Sequence, residues 1–117
     1  MKITRLYTGA DGESHFQDID LPMVEGVDKG EIRTETFATK GVLFRETSSD
    51  FKVDWHPAPA RQFVITIQGR GEITVGDGTK RIFGPGDIML AEDLTGHGHI
   101  TRALDNKPRV SIFVTLA

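Results

Sequence analysis

The chain has no cysteine in its 117 residues. That excludes disulfides, thiolate metal sites and a cysteine nucleophile, and it fits a reducing compartment. A strong charge of either sign is also missing, since 14 Lys and Arg stand against 17 Asp and Glu for a formal net charge of −3. With no run of basic residues, no nucleic-acid partner is expected. No apolar run approaches membrane-spanning length. The opening stretch MKITRLYTGADGESHF lacks the apolar segment of a signal peptide. No membrane partner is therefore expected, and the expected location is cytoplasmic. Helical periodicity is absent as well, because no segment sets apolar residues at helical spacing between caps. There is no internal repeat and no low-complexity tract.

What is present is punctuation. Thirteen glycines and five prolines are spread through the chain and separate short β-branched runs, the pattern of an all-β sandwich or barrel. The length suits one domain, residues 1–117, with a core of its own. Strands are expected at Lys2–Thr8, His15–Leu21, Ile32–Phe37, Gly41–Thr47, Phe51–His56, Gln62–Gln68, Thr79–Phe83, Ile88–Ala91, His97–Leu104 and Val110–Leu116. Gln68–Gly71 reads as a hairpin turning back into GRGEITV, Gly76–Gly78 as a second tight turn, and Gly84–Asp87 as a third. Pro57 and Pro59 cannot sit inside a central ladder, so they mark a corner. Gln62–Gln68 carries apolar residues on both faces, so both faces should be covered. Lys2–Thr8 reads as an edge strand through which a homodimer pairs.

Two stretches hold the candidate chemistry: DWHPAPARQFVITIQG from Asp54 to Gly69, and GDIMLAEDLTGHGH from Gly86 to His99. In the first, His56, Ala58, Gln62 and Gly69 follow one another at intervals of two, four and seven residues. In the second, Pro85-Gly86-Asp87 precedes a strand, a corner and then His97 and His99. This spacing resembles the two motifs of the cupin superfamily, over roughly residues 37–116. The resemblance implies a double-stranded β-helix, or jelly-roll antiparallel β-barrel. It also implies a cavity in which two histidines, a glutamate and a later histidine hold a divalent metal. Here Ala58 replaces one ligand and Gln62 replaces the carboxylate. The implied metal set is thus His56, Gln62, His97 and His99, holding zinc, nickel, iron or manganese weakly, or holding no metal tightly.

His97 and His99 share one strand parity, so both should face inward or both outward. Trp55, His56, Gln62, His97 and His99 are the candidate ligand-binding residues, with His56 and His99 as candidate catalytic bases. Gln62 opens a buried strand, so its amide should bond a histidine or the backbone. Glu92 and Asp93 read as a solvated corner or as an anchor orienting an imidazole. Ser14 or Ser111 allows a Ser/His/Asp triad on paper, but no spacing argues for one. Three functions follow. One is a barrel binding a small molecule without a tight metal. Another is a metal-dependent dioxygenase or isomerase acting on a small acid or sugar derivative. The third is a metal-free lyase or isomerase using His56 or His99 as general base.

Overall fold

The computed structural model describes residues 1–117. It contains twelve strands and no helix, so no helix crosses a membrane. The strands are β1 (Lys2–Thr8), β2 (Ser14–Asp20), β3 (Val24–Glu25), β4 (Ile32–Arg33), β5 (Thr39–Thr47), β6 (Lys52–His56), β7 (Gln62–Gln68), β8 (Gly71–Thr74), β9 (Lys80–Phe83), β10 (Ile88–Glu92), β11 (His99–Ala103) and β12 (Arg109–Leu116). A six-stranded sheet runs β2-β1-β10-β7-β12-β5 and a four-stranded sheet runs β6-β11-β8-β9. β3 and β4 form a small ribbon of their own.

The two large sheets close on an apolar core of Leu6, Val64, Ile73, Val75, Phe83 and Met89. Period-two alternation sends the neighbouring residues of the larger sheet to its other face. There Ile3, Phe63, Leu90 and Leu116 form a second cluster, with Leu21 packed against it. Phe37 meets Phe63 edge to face, with ring centres 5.0 Å apart. The loop that follows β2 thereby covers part of the outer face.

Four expectations from the sequence are corrected. Gln68–Gly71 is not a hairpin, because β7 pairs with β10 and β12 whereas β8 pairs with β9 and β11. The link crosses between sheets, and Gly69, at φ 73°, lies where a Cβ would collide with the Pro108 carbonyl. Nor is β1 an edge strand. It lies between β2 and β10 and runs parallel to β10, so the free edges of the larger sheet are β2 and β5. Strand β4 holds only Ile32 and Arg33, because no partner ladder exists beyond β3. Finally, β7 is not covered on both faces throughout: Ile65 is half-buried and Ile67 exposed, since the covering loop reaches only the Phe63 end.

Candidate functional site

The cavity between the sheets is lined by both halves of the sequence pattern. Its wall includes His56, Ala58, Gln62 and His99, with Val64, Ile73, Met89 and Ala91 as an apolar floor, and Arg45 and Arg109 also reach it. About 70 Å³ is open to the centre of a water molecule, on the order of five water-sized volumes.

His56 arrives from the end of β6, directly opposite His99 on β11. The next pair is Thr101 with Val53, which puts Asp54 and Trp55 of β6 against Ile100 alone of β11. This bulge brings both His56 and Val53 to the cavity although their spacing is odd. The two imidazoles stand 4.4 Å apart, centre to centre, and tilted by 54°. His56 Nδ1 donates to the Asp54 carbonyl at 2.7 Å. His99 Nδ1 donates to Asp93 Oδ2 at 2.5 Å. A carbonyl or a carboxylate only accepts, so each Nδ1 carries the proton. In the neutral rings, each Nε2 is then a free lone pair.

Asp93 is fully buried, at 0% exposure, and His99 is 5% exposed. Ser14 of β2 donates to the same Oδ2 at 2.7 Å. The order is Ser14–Asp93–His99, with the carboxylate in the middle. Ser14 therefore braces the carboxylate from behind and does not face the cavity as a nucleophile. Of the two readings of the corner, Asp93 is the imidazole anchor. Glu92 is not simply solvated, because it bridges Arg5 at 2.8 Å and Arg61 at 2.6 Å.

His97 and His99 do not share a direction. Gly98 stands between them at φ 78°, a conformation that breaks strand alternation, and a Cβ there would collide with the His56 carbonyl. Strand β11 consequently begins at His99, not at His97. His97 lies outside the cavity, stacked on Trp55 at 3.9 Å and bonded to Glu13 at 2.9 Å. His97 and Trp55 are thus a surface pair, and the four proposed ligands His56, Gln62, His97 and His99 do not converge; three of them do.

Gln62 is 6% exposed and its amide bonds neither histidine nor backbone. The expected internal hydrogen bond is absent, and the amide faces the cavity unpaired. Arg109, which the motif spacing did not point to, is 8% exposed and has no carboxylate partner. Its Nη2 donates to Thr66 Oγ1 at 2.6 Å, and its Nε is sealed from solvent without a bond. A Cβ on Gly71 would lie 2.8 Å from Arg109 Nη1, so that glycine makes room for the guanidinium. The sequence signal was the parity of Arg109 with Ser111 and Phe113 on the inward face of β12. Arg45 also lacks a carboxylate and rests on the rings of Phe51 and Phe113 at 4.7 and 5.1 Å. Burial pushes both guanidiniums below their ordinary pKa, and for Arg109 the charge of Arg45 adds to this.

The donor set suits a divalent cation poorly. It offers two imidazoles and one neutral amide, with a methyl group at Ala58. No carboxylate lines the cavity, while two guanidiniums do. A dication would meet repulsion where its ligands should supply negative charge.

No family model matches the chain, and no curated protein matches it. Solved structures do. A cupin superfamily protein from Desulfitobacterium hafniense superposes with a TM-score of 0.49 at 15% identity, over 70% of this chain and 83% of that one. The capsular polysaccharide assembling protein CapF from Staphylococcus aureus superposes with a TM-score of 0.52 at 12% identity, over 84% of this chain. The matched region is 30% of CapF. Two facing sheets closed around a lined cavity define a jelly-roll β-barrel. The fold is of the cupin type.

Proposed function

We propose that this barrel binds a small molecule without a tightly held metal, and that His99 serves as a general base toward it. The buried Asp93–His99 pair carries the reading. A carboxylate on Nδ1 fixes the tautomer and stabilises the imidazolium that forms when Nε2 takes a proton. The reaction class that uses such a base without a nucleophile is proton removal beside a carbonyl. His99 Nε2 takes the proton, the C–H electron pair moves to form an enolate, and the Gln62 amide donates to its oxygen. The proton then returns to the same carbon, or, where that carbon bears a hydroxyl whose proton passes to the enolate oxygen, to the former carbonyl carbon as the hydroxyl oxygen becomes the new carbonyl. Metal ligation through His56 and His99 is the second reading, supported by the two free Nε2 atoms.

The test is proton NMR in deuterium oxide with a panel of small carbonyl compounds. Untagged protein stripped with a chelator should still exchange the proton beside the carbonyl, and His99→Gln should lower the rate about 10²- to 10⁴-fold. Loss of exchange on chelation, restored by zinc or nickel, would favour the metal reading instead. A homodimer belongs to the same proposal. The unpaired edge of β5 and the exposed Val42, Phe44 and Ile67 support it.

A further inference from the structure

The base faces a cavity whose other polar groups ask for a ligand of definite charge. Arg109 is the most anomalous of them. A buried guanidinium without a counter-ion is costly, because its hydration is lost with no attraction to offset the loss. Proteins normally place a carboxylate beside such a group. Here the nearest comparable charge is Arg45, of the same sign, and it is steadied only by aromatic faces. Of the five N–H donors of Arg109, the one that bonds within the chain is on Nη2. Gln62, also more than nine-tenths buried, offers another unpaired amide. Thr66, which holds Arg109, lies four residues along β7 from Gln62 on the same face of the strand, and Arg109, Gln62 and His99 line one cavity. The cavity thus has a cationic end at Arg109 and a proton-transfer end at Gln62 and His99.

We propose that the ligand is a short oxo or hydroxy carboxylic acid whose carboxylate sits against Arg109 and whose oxygen-bearing carbon lies toward Gln62 and His99. The inference rests on the preceding reading that the cavity is the ligand site. The anion supplies the counter-charge that the fold omits, and its planar carboxylate matches the guanidinium. The space available limits the acid to a chain of about two to four carbons. The other guanidinium, Arg45, stands near Arg109, so the His99 end has no arginine or lysine to hold a second carboxylate.

The experiment is calorimetric titration and thermal unfolding of the full chain with pyruvate, lactate and propionate. Pyruvamide and propionamide serve as neutral counterparts, and inorganic phosphate and sulfate as other anions. The acids should bind and raise the unfolding midpoint, and the amides should not. Arg109→Met should raise the midpoint of the unliganded protein, because it removes an unpaired buried charge. The same change should weaken acid binding about 10- to 100-fold. Should Arg109→Met not fold, Arg109→Lys keeps the charge, loses the planar fork and should weaken binding by a smaller factor. Binding of the amides as tightly as the acids, or of none of the three acids, overturns the proposal. So does binding of phosphate or sulfate alone, or an Arg109→Met protein that is less stable yet binds acids normally. Failure of the base reading looks different: His99→Gln then binds and exchanges like the wild type. Exchange on neutral carbonyl compounds as fast as on their acids would leave the base reading standing and remove this one.

Discussion

The two faces of the six-stranded sheet invert the usual order of a protein at the β7, β12 and β5 half. The inner face carries Gln62, Thr66, Arg109 and Ser111, all buried. The outer face carries Val42, Ile67 and Phe44, the last 75% exposed. The smaller sheet has the ordinary outside, where Glu72 holds Arg102 and Lys80. Buried polar groups without partners cost stability, and exposed apolar strips invite association. A fold that keeps both is spending its stability on something other than itself. The proposals above assign the inner polar surface to a ligand and the outer apolar surface to a second chain.

The comparison is sharpest in unfolding free energies. Leu6, fully buried on the inner face of β1, should cost about 3–5 kcal/mol when changed to Ala. Ile65→Ala on the outer face of β7 should cost only about 1–2 kcal/mol, because Ile65 is half-buried and leaves a smaller cavity. Urea midpoints of the two variants give the contrast directly. Equal losses would mean that the outer face is as well covered as the core, and the inversion would disappear.

A smaller effect on stability, with a large one on assembly, is expected of Phe44→Ser. In the monomer its cost should stay within about 0.5 kcal/mol. Light scattering at micromolar concentration should show twice the chain mass for the parent and a single chain mass for the variant. A monomeric parent would leave the outer strip unexplained and remove the dimer.

The smallest effect concerns acid. A hydrogen bond from Arg102 holds the Glu72 carboxyl below its ordinary value of 4.5. Burial pushes Glu92 up, but Arg5 and Arg61 together outweigh it and the net direction is down. Carboxyls depressed in the fold contribute stability above their unfolded pKa and lose it as pH falls through the folded pKa. Stability should therefore hold above about 4.5 and decline below it. Arg102→Gln should remove the Glu72 share of that decline, leaving a shallower fall in midpoint between neutral and acid pH. An unchanged acid limb would show that Glu72 and Arg102 do not act as a pair in solution.

The barrel was legible because strand alternation and turn residues are local signals. The spacing of His56, Ala58 and Gln62 likewise located one wall of the cavity. What was not legible depended on single backbone conformations or distant partners. Gly98 turns His97 out and leaves His99 in, which strand parity alone cannot foresee. The bulge in β6 rotates His56 inward. Asp93 looks like one of two acids at a corner until Ser14, 79 residues away, is placed behind it. Arg109 follows Pro108 at the start of the last strand with no motif around it. Strand parity with Ser111 turns it inward, and the space left by Gly71 shows where its guanidinium goes.

The clasp between the N-terminal hairpin and the Glu92–His97 corner also sets a schedule. Arg5 bonds Glu92, Thr8 bonds the Thr95 carbonyl and Glu13 bonds His97, all across more than 80 residues. The strands that steady Asp93 are thus made well before the residues they steady, Ser14 preceding Asp93 by 79 residues. At ordinary synthesis rates the hairpin waits roughly 4–16 s for its partner, and β1 can join β10 only then. Such long-range closure makes a slow nucleus. The geometry of His99 is accordingly a late event in folding, completed when β1 and β2 meet β10 and the corner after it.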